Sequence, residues 1–344
     1  MDSLSQRKRE VLYAVVHDFI LSAEPVGSIQ VAKKKSIHLS PATIRTVMAE
    51  LEERGFLRQP HPSSGRIPTD RAYRIYVDEL MKLQPLTAQE RNEIREKVRG
   101  LGANTGDVLR DACRLISNRA NQPGLVLAPK TETRSLRHIQ FIRLKEKLAL
   151  AILVSSNGIV ENKILELNRK ISQSGLDRMH NYLNDRLAGL TVEKIRQQIL
   201  LEMKSAQNRY DQLLTQALLL GEKVFADGHR DVHIEGQSHL CSDPEFADLE
   251  KMQQILRTLE EKTTLIRILD QSLTSPGVKI FIGEETLYPE INGLTLITSA
   301  YSDSEGNQGL LGVIGPTRMN YARIVPLVEF TSQIVTNALS EPKK

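Results

Sequence analysis

Residues 25–68 read PVGSIQVAKKKSIHLSPATIRTVMAELEERGFLRQPHPSSGRIP, and this stretch limits the possible fold more than any other. Ser40 and Pro41 open a helix. The serine hydroxyl accepts from free amides of the first turn, and proline at the first helical position forfeits no donor that the helix needs. Ile44, Val47, Met48 and Leu51 recur at helical spacing and form one apolar stripe. Ala42, Thr46, Ala49 and Glu53 lie opposite it, with Thr43 and Arg45 toward the flanks. Gly55 suits the residue that stops the helix. Residues 56–59 and 66–69 predict two short strands, with His61, Pro62, Ser63, Ser64 and Gly65 as the tip between them.

Upstream, residues 4–23 carry Val11, Leu12, Val15, Val16, Phe19 and Ile20, in pairs four apart, which makes one face of an amphipathic helix. Pro25 and Gly27 end it, and Ser28 fits the N-cap of a short helix that stops at Ala32, before Lys33, Lys34 and Lys35. Short helix, turn, second helix with a small polar outward face, basic hairpin: this is the order of parts in a winged helix-turn-helix that binds duplex DNA. Small outward residues let the helix backbone sink into a groove. Arg45, Thr43 and Thr46 then reach base edges, with Ser40 at the same helix end. Lys33, Lys34, Lys35, Ser63, Ser64 and Arg66 are the candidate phosphate contacts, and Arg66 alternatively enters a minor groove. Residues 1–76 hold 12 Lys+Arg against 8 Asp+Glu, whereas the whole chain holds 46 against 42, leaving 34 of each sign in residues 77–344. The net positive charge therefore lies in the same module, as binding to a polyanion requires. The same parts also suit a winged helix that contacts protein, with the lysines as a solvated face. The capped helix, the serine-rich basic tip and the local charge together favour DNA.

The rest of the chain is long enough for further cores, which should be aliphatic because tryptophan is absent and aromatics are few. Residues 71–83 predict a helix leading away from the hairpin, and residues 82–89, with Pro85, a boundary. Helices follow over residues 88–101 and 107–118, then a buried strand over 124–128. Residues 138–144, 148–154 and 160–167 alternate with polar turns and predict an antiparallel meander. Three striped helices come next: Leu176, Met179, Leu183 and Leu187; Val192, Ile195 and Ile199; then Tyr210, Leu213, Leu214, Ala217, Leu218 and Val224. The last third predicts helices over 246–259 and 265–273, strands over 278–283, 294–301 and 310–315, and a closing helix over 321–339. This is an α+β multidomain pattern.

The string SPATIRTVMAELEERGFLRQPHPSSGRIPTDRAYRIYVDEL closely resembles the N-terminal module of the HrcA family, heat-inducible transcription repressors of bacteria. LRHIQFIRL, ALAILVSSNGIVENKIL, VKIFIGEE and GLLGVIGPTRMNYARIVPLVEF resemble that family's later blocks, so the similarity covers most of the chain. The resemblance implies a GAF-like α+β domain interrupted by an inserted α+β dimerisation domain. The implied divisions are residues 1–84 for the winged helix, 85–134 for a linker helix and the first part of the GAF-like domain, 135–225 for the insertion, and 226–344 for the second part. It also implies a homodimer that binds CIRCE, an inverted-repeat operator upstream of chaperone operons, and is kept active by the GroEL chaperonin. Two positions depart from the family: Thr46 stands where many members have asparagine, and Ile29 where an arginine or lysine is common. Threonine offers one hydrogen bond or a methyl contact where asparagine pairs bidentately with adenine, so base preference at one operator position should differ.

Other chemistry is thinly represented. Gly309, Gly312 and Gly315 do not open a helix after a strand, and strand packing explains them better than a dinucleotide. His229, His233, His239, Cys241 and Asp243 match no common zinc spacing. Cys113 and Cys241 are the only cysteines, and no disulfide is expected between them in a reducing cytosol. No nucleophile motif, cofactor or metal site is expected. With no signal peptide and a longest apolar run of residues 148–154, a cytoplasmic protein is expected. A rival function is a transcription regulator whose GAF-like domain senses a small molecule. A third is an adaptor whose winged helix binds protein.

Overall fold

The computed structural model describes residues 4–340 apart from 63, 100–104, 130–134, 157–159, 168–169, 192–193, 196, 200–216, 222–230, 242–245, 247, 275–276, 286–290 and 292. The chain is a mixed α+β structure. It begins with helices α1 (Gln6–Ser22), α2 (Ser28–Ala32) and α3 (Pro41–Glu53), and a hairpin of β1 (Leu57–Arg58) and β2 (Ile67–Pro68). Val26 pairs with Arg66 beside the hairpin, a bridge that the sequence did not announce. Ser28 is the first residue of α2 rather than its cap, and Gly27 takes the cap position with no side-chain bond. Helix α4 (Asp70–Ile75) runs on as a wider turn over Tyr76–Leu80, ending three residues before the expected stop.

Helices α5 (Ala88–Arg99) and α6 (Thr105–Ala120) lead into β3 (Gly124–Leu127). Strands β4 (Leu136–Lys145), β5 (Leu148–Ser155) and β6 (Val160–Glu166) form the expected meander, with α7 (Gln173–Leu187) on its inner face. Leu176, Met179, Leu183 and Leu187 are buried there with Ile139, Phe141 and Ala151. Of the next two stripes, Ile195, Ile199, Ala217 and Leu218 are buried in this same core. Val192, Tyr210, Leu213, Leu214 and Val224 lie outside the described residues.

The main sheet has five strands in the order β7-β3-β10-β9-β8, with every pairing antiparallel. Here β7 is Val232–Glu235, β8 Val278–Ile282, β9 Leu294–Ser302 and β10 Gln308–Pro316. Strand β7 was not anticipated, because its four residues follow an uninformative histidine-containing stretch and, among the described residues, pair with β3 alone. Helices α8 (Leu249–Glu260) and α9 (Lys262–Asp270) contribute to the core on one face, and α6 and α10 (Tyr321–Ser340) to the other. Side chains alternate accordingly. Leu125, Leu127, Leu296 and Leu310 enter the first core, and Val126, Ile297, Leu311 and Val313 the second. The strand glycines do serve packing. A Cβ on Gly309 would lie 2.3 Å from the Tyr301 ring, whose hydroxyl donates to the Leu127 carbonyl. Both cysteines are free. Cys113 is buried, and burial pushes its thiol up to about 12.

The second core does not stop at the sheet. It continues through Tyr73, Tyr76 and Leu86 into the residues beneath α1 and α3. The N-terminal head is fixed to the sheet body by polar contacts as well. Arg74 pairs with Glu285 and donates to the Ile280 carbonyl at 2.7 Å, and Asp70 accepts from the Glu284 amide at 3.1 Å. Gly283 has φ +53°, and a Cβ there would fall 1.8 Å from the Asp70 carboxylate, so only glycine fits both the backbone and the contact. Burial alone would raise the Glu285 carboxyl, but the hydrogen bond from Arg74, the Ile282 amide and the guanidinium charge outweigh it and hold the group below its ordinary range. A carboxylate depressed in this way contributes stability above its unfolded pKa and loses it as pH falls through the folded value. Glu285→Gln should therefore be less stable than the parent at pH 7. The gap should begin to narrow on acidification through about pH 4, near the unfolded glutamate value, and close once pH lies below the depressed folded value. Urea unfolding at both pH values checks this, and a gap independent of pH would remove the ion pair as its source.

Candidate nucleic-acid interface

Helix α3 starts as its sequence demands. Ser40 Oγ accepts from the Thr43 amide at 3.2 Å and shares a 2.9 Å hydrogen bond with the Thr43 hydroxyl. Pro41 occupies the first turn, and Gly55 follows the helix at φ +75°. Ile44, Val47, Met48 and Leu51 are buried against α1 and α2, which turns Ala42, Arg45 and Thr46 to solvent. Thr46 Oγ1 donates to the Ala42 carbonyl at 3.3 Å, so its proton is engaged within the helix and its oxygen keeps acceptor capacity. Thr43 is half-buried and bound to the cap.

The cations divide into two groups. Arg45, Lys33 and Lys35 are exposed, and among the described residues none of them makes an ion pair. Lys34 is held by Asp18 of α1, and Arg66 donates through Nε to Glu52 of α3 at 2.9 Å with only 15% of its side chain exposed. Arg66 also exchanges backbone hydrogen bonds with Val26 at 2.9 Å. The structure thus brings Ser40, Thr43, Arg45 and Thr46 together on one helix end, but holds Arg66 at the hairpin base rather than at its tip. Ser64 lies at the tip, where its hydroxyl donates to the His61 carbonyl at 2.7 Å. Ser63 lies outside the described residues.

Three features escaped the sequence reading. Arg58 is exposed on β1, where the period-two alternation with buried Leu57 could have marked it. Gln59 Nε2 donates to the Pro62 and Ser64 carbonyls, both at 2.9 Å, and so shapes the tip. Arg71 lies 4.5 Å from the Phe56 ring centre and donates to the Arg54 carbonyl at the end of α3. Among the described residues no group of three His, Cys, Asp or Glu could hold a metal ion, and no helix is long and apolar enough to cross a membrane. Of the sequence's histidine cluster, His229 and Asp243 lie outside the described residues, and His233 sits 3.4 Å from Asp231.

Residues 106–325 match the family model described as the HrcA protein C-terminal domain. The heat-inducible transcription repressor HrcA of Geobacter sulfurreducens is 44% identical over 98% of this chain and 99% of its own length. That of Syntrophobacter fumaroxidans is 42% identical over 99% of both. A solved structure described as a hypothetical protein at 2.2 Å resolution shares the fold at TM-score 0.63, with 21% identity over 98% of this chain and 99% of that one. These relatives put the chain in the class of transcription repressors. Within that class it belongs to the HrcA family, the heat-inducible repressors of transcription.

The hairpin depends on a close approach. A Cβ on Gly65 would lie 2.5 Å from the Val26 carbonyl carbon. Gly65→Ala should therefore destabilise the protein by about 1–3 kcal/mol, as overpacking does. The readout is a lower midpoint of urea unfolding, and an unchanged midpoint would show that the Val26–Arg66 pairing yields without cost.

Proposed function

We propose that this chain represses chaperone operons by binding the CIRCE inverted repeat as a homodimer, with α3 as the recognition helix of a winged helix-turn-helix. The observation that carries the reading is the outward face of α3: small Ala42 and Thr46 beside an Arg45 that has no ion pair among the described residues. A helix so faced enters a major groove without steric conflict, and its arginine is available to pair with a guanine edge. Lys33 and Lys35 then contact phosphates. Lys34 and Arg66 hold the head together through Asp18 and Glu52, Ser40 lies at the helix end and Ser64 at the hairpin tip, and Ser63 joins them as a phosphate contact on its sequence position alone. Thr46, with its proton on Ala42, offers a methyl group or an acceptor where an asparagine would pair with adenine.

The five-stranded sheet with helices on both faces suits a GAF-like domain, and the separate meander core suits the inserted dimerisation domain at residues 135–225. The meander leaves an apolar row on its outer face: Ile142 and Ile164 flank Leu150 across three strands, and Ile164 is 68% exposed. A two-fold pair joined there would match a palindromic site. The GroEL chaperonin keeps the repressor in its DNA-binding form in the cytoplasm, so chaperonin occupied by damaged protein raises transcription.

Fluorescence anisotropy on a CIRCE-type duplex and a scrambled one, with and without GroEL, tests this. Arg45→Ala should weaken specific binding by about 1–3 kcal/mol and leave scrambled-duplex binding nearly unchanged. Equal loss on both duplexes would make Arg45 a phosphate contact. A folded dimer that binds both duplexes equally and weakly would sink the operator reading.

A further inference from the structure

Residues 1–76 hold 12 Lys and Arg, and most of them are engaged. Lys8, Arg9, Lys34, Arg66 and Arg74 each pair with a carboxylate. Arg7 and Arg54 act through space on the Glu50 carboxylate, and Arg71 lies over the Phe56 ring. Among the described residues, Lys33, Lys35, Arg45 and Arg58 have no such partner, and all four are exposed. The first three already have a place in operator binding, and Arg58 has none. Within the hairpin the other permanent cation is Arg66, which Glu52 holds at the base.

Arg58 stands on β1 opposite Ile67 of β2, and strand alternation puts both on the hairpin face away from buried Leu57 and Pro68. The hairpin is fastened to the C-terminal end of α3. Arg66 pairs with Glu52, and Thr69 Oγ1 donates to the Gly55 carbonyl at 2.8 Å. Its tip is braced by Gln59, and Ser64 spends its hydroxyl proton on the His61 carbonyl. Arg58 is thus displayed from backbone that is already ordered, so its binding costs less conformational freedom than a loop residue's would. Its place beyond α3 supplies the target. From Arg45 to Arg54 the helix rises roughly 13 Å at about 1.5 Å per residue. That is close to the width of a major groove, about 12 Å. With Arg45 at the base edges, the far end of α3 reaches the phosphate strand that borders the groove, and the hairpin attached there meets that strand.

We propose that Arg58 is the hairpin's phosphate contact on duplex DNA, the role for which the sequence offered Arg66. The inference rests on duplex binding by the head. Fluorescence anisotropy of the full chain across a salt series, on the CIRCE-type and the scrambled duplex, tests it. Arg58→Ala should weaken both by the same factor, about fivefold per bound chain near 0.15 M salt, and lower the slope of log affinity against log salt by about 0.9 per chain. Arg58→Lys keeps the charge and should keep the parent slope. Arg7→Ala removes an exposed cation of α1 and should also keep it. Each variant should melt with the parent, because none loses a hydrogen bond or a close ion pair. A parent slope in folded Arg58→Ala overturns the proposal. An equal drop in Arg7→Ala does so too, since the loss would then belong to overall charge. Loss confined to the CIRCE-type duplex would make Arg58 a base contact and overturn the phosphate role. A parent that binds both duplexes equally sinks operator recognition alone, and the Arg58 slopes still decide. A parent that binds neither sinks both readings.

Discussion

The architecture depends on a five-stranded sheet that has no wet face. Every apolar residue of β3, β9 and β10 points into one core or the other, so helices must cover both sides. On one side α8 and α9 supply a core that stays local. On the other, α6 and α10 belong to a core that runs on through Tyr73 and Tyr76 to the interior of the N-terminal head. The tilted ring pair of Tyr73 and Tyr321, with centroids 6.0 Å apart, sits on that path. Head and body therefore share buried apolar area, and separating them would expose it to water.

Much of this was legible in the sequence, and the reasons are local. Helix α3 was marked by a cap, an N-terminal proline and a four-residue stripe, each acting within one or two turns. The meander was marked by strict alternation and polar turns. The register of β4, β5 and β6, and the order of the main sheet, were not legible, because they depend on pairings far apart in the chain, as between β3 and β10. Strand β7 was missed for the same reason: four residues become a strand only because β3 offers an edge. The candidate interface shows the same division. Which residues share the face of α3 followed from helical period. That Lys34 and Arg66 would be drawn to Asp18 and Glu52 did not, since both partners lie on other elements.

The positive charge of the head consequently acts in two ways. Cations engaged with carboxylates organise the packing of α1, α3 and the hairpin, whereas Lys33, Lys35 and Arg45 keep their charge for solvent or a polyanion. Composition counts both kinds alike. Only the partners distinguish them, and those partners, already subtracted in the net charge, decide where on the head the positive field is presented.

The stretch GRIPTD packs two constraints into six residues. Gly65 lets the hairpin base press on Val26, and Asp70 accepts from the loop after β8. The hairpin is thus tied at one end to the head and at the other to the body, with no slack between them. A tether with slack would let the head swing relative to the sheet. This attachment instead makes the body a rigid mount, so the direction in which the outward face of α3 points is set by the sheet.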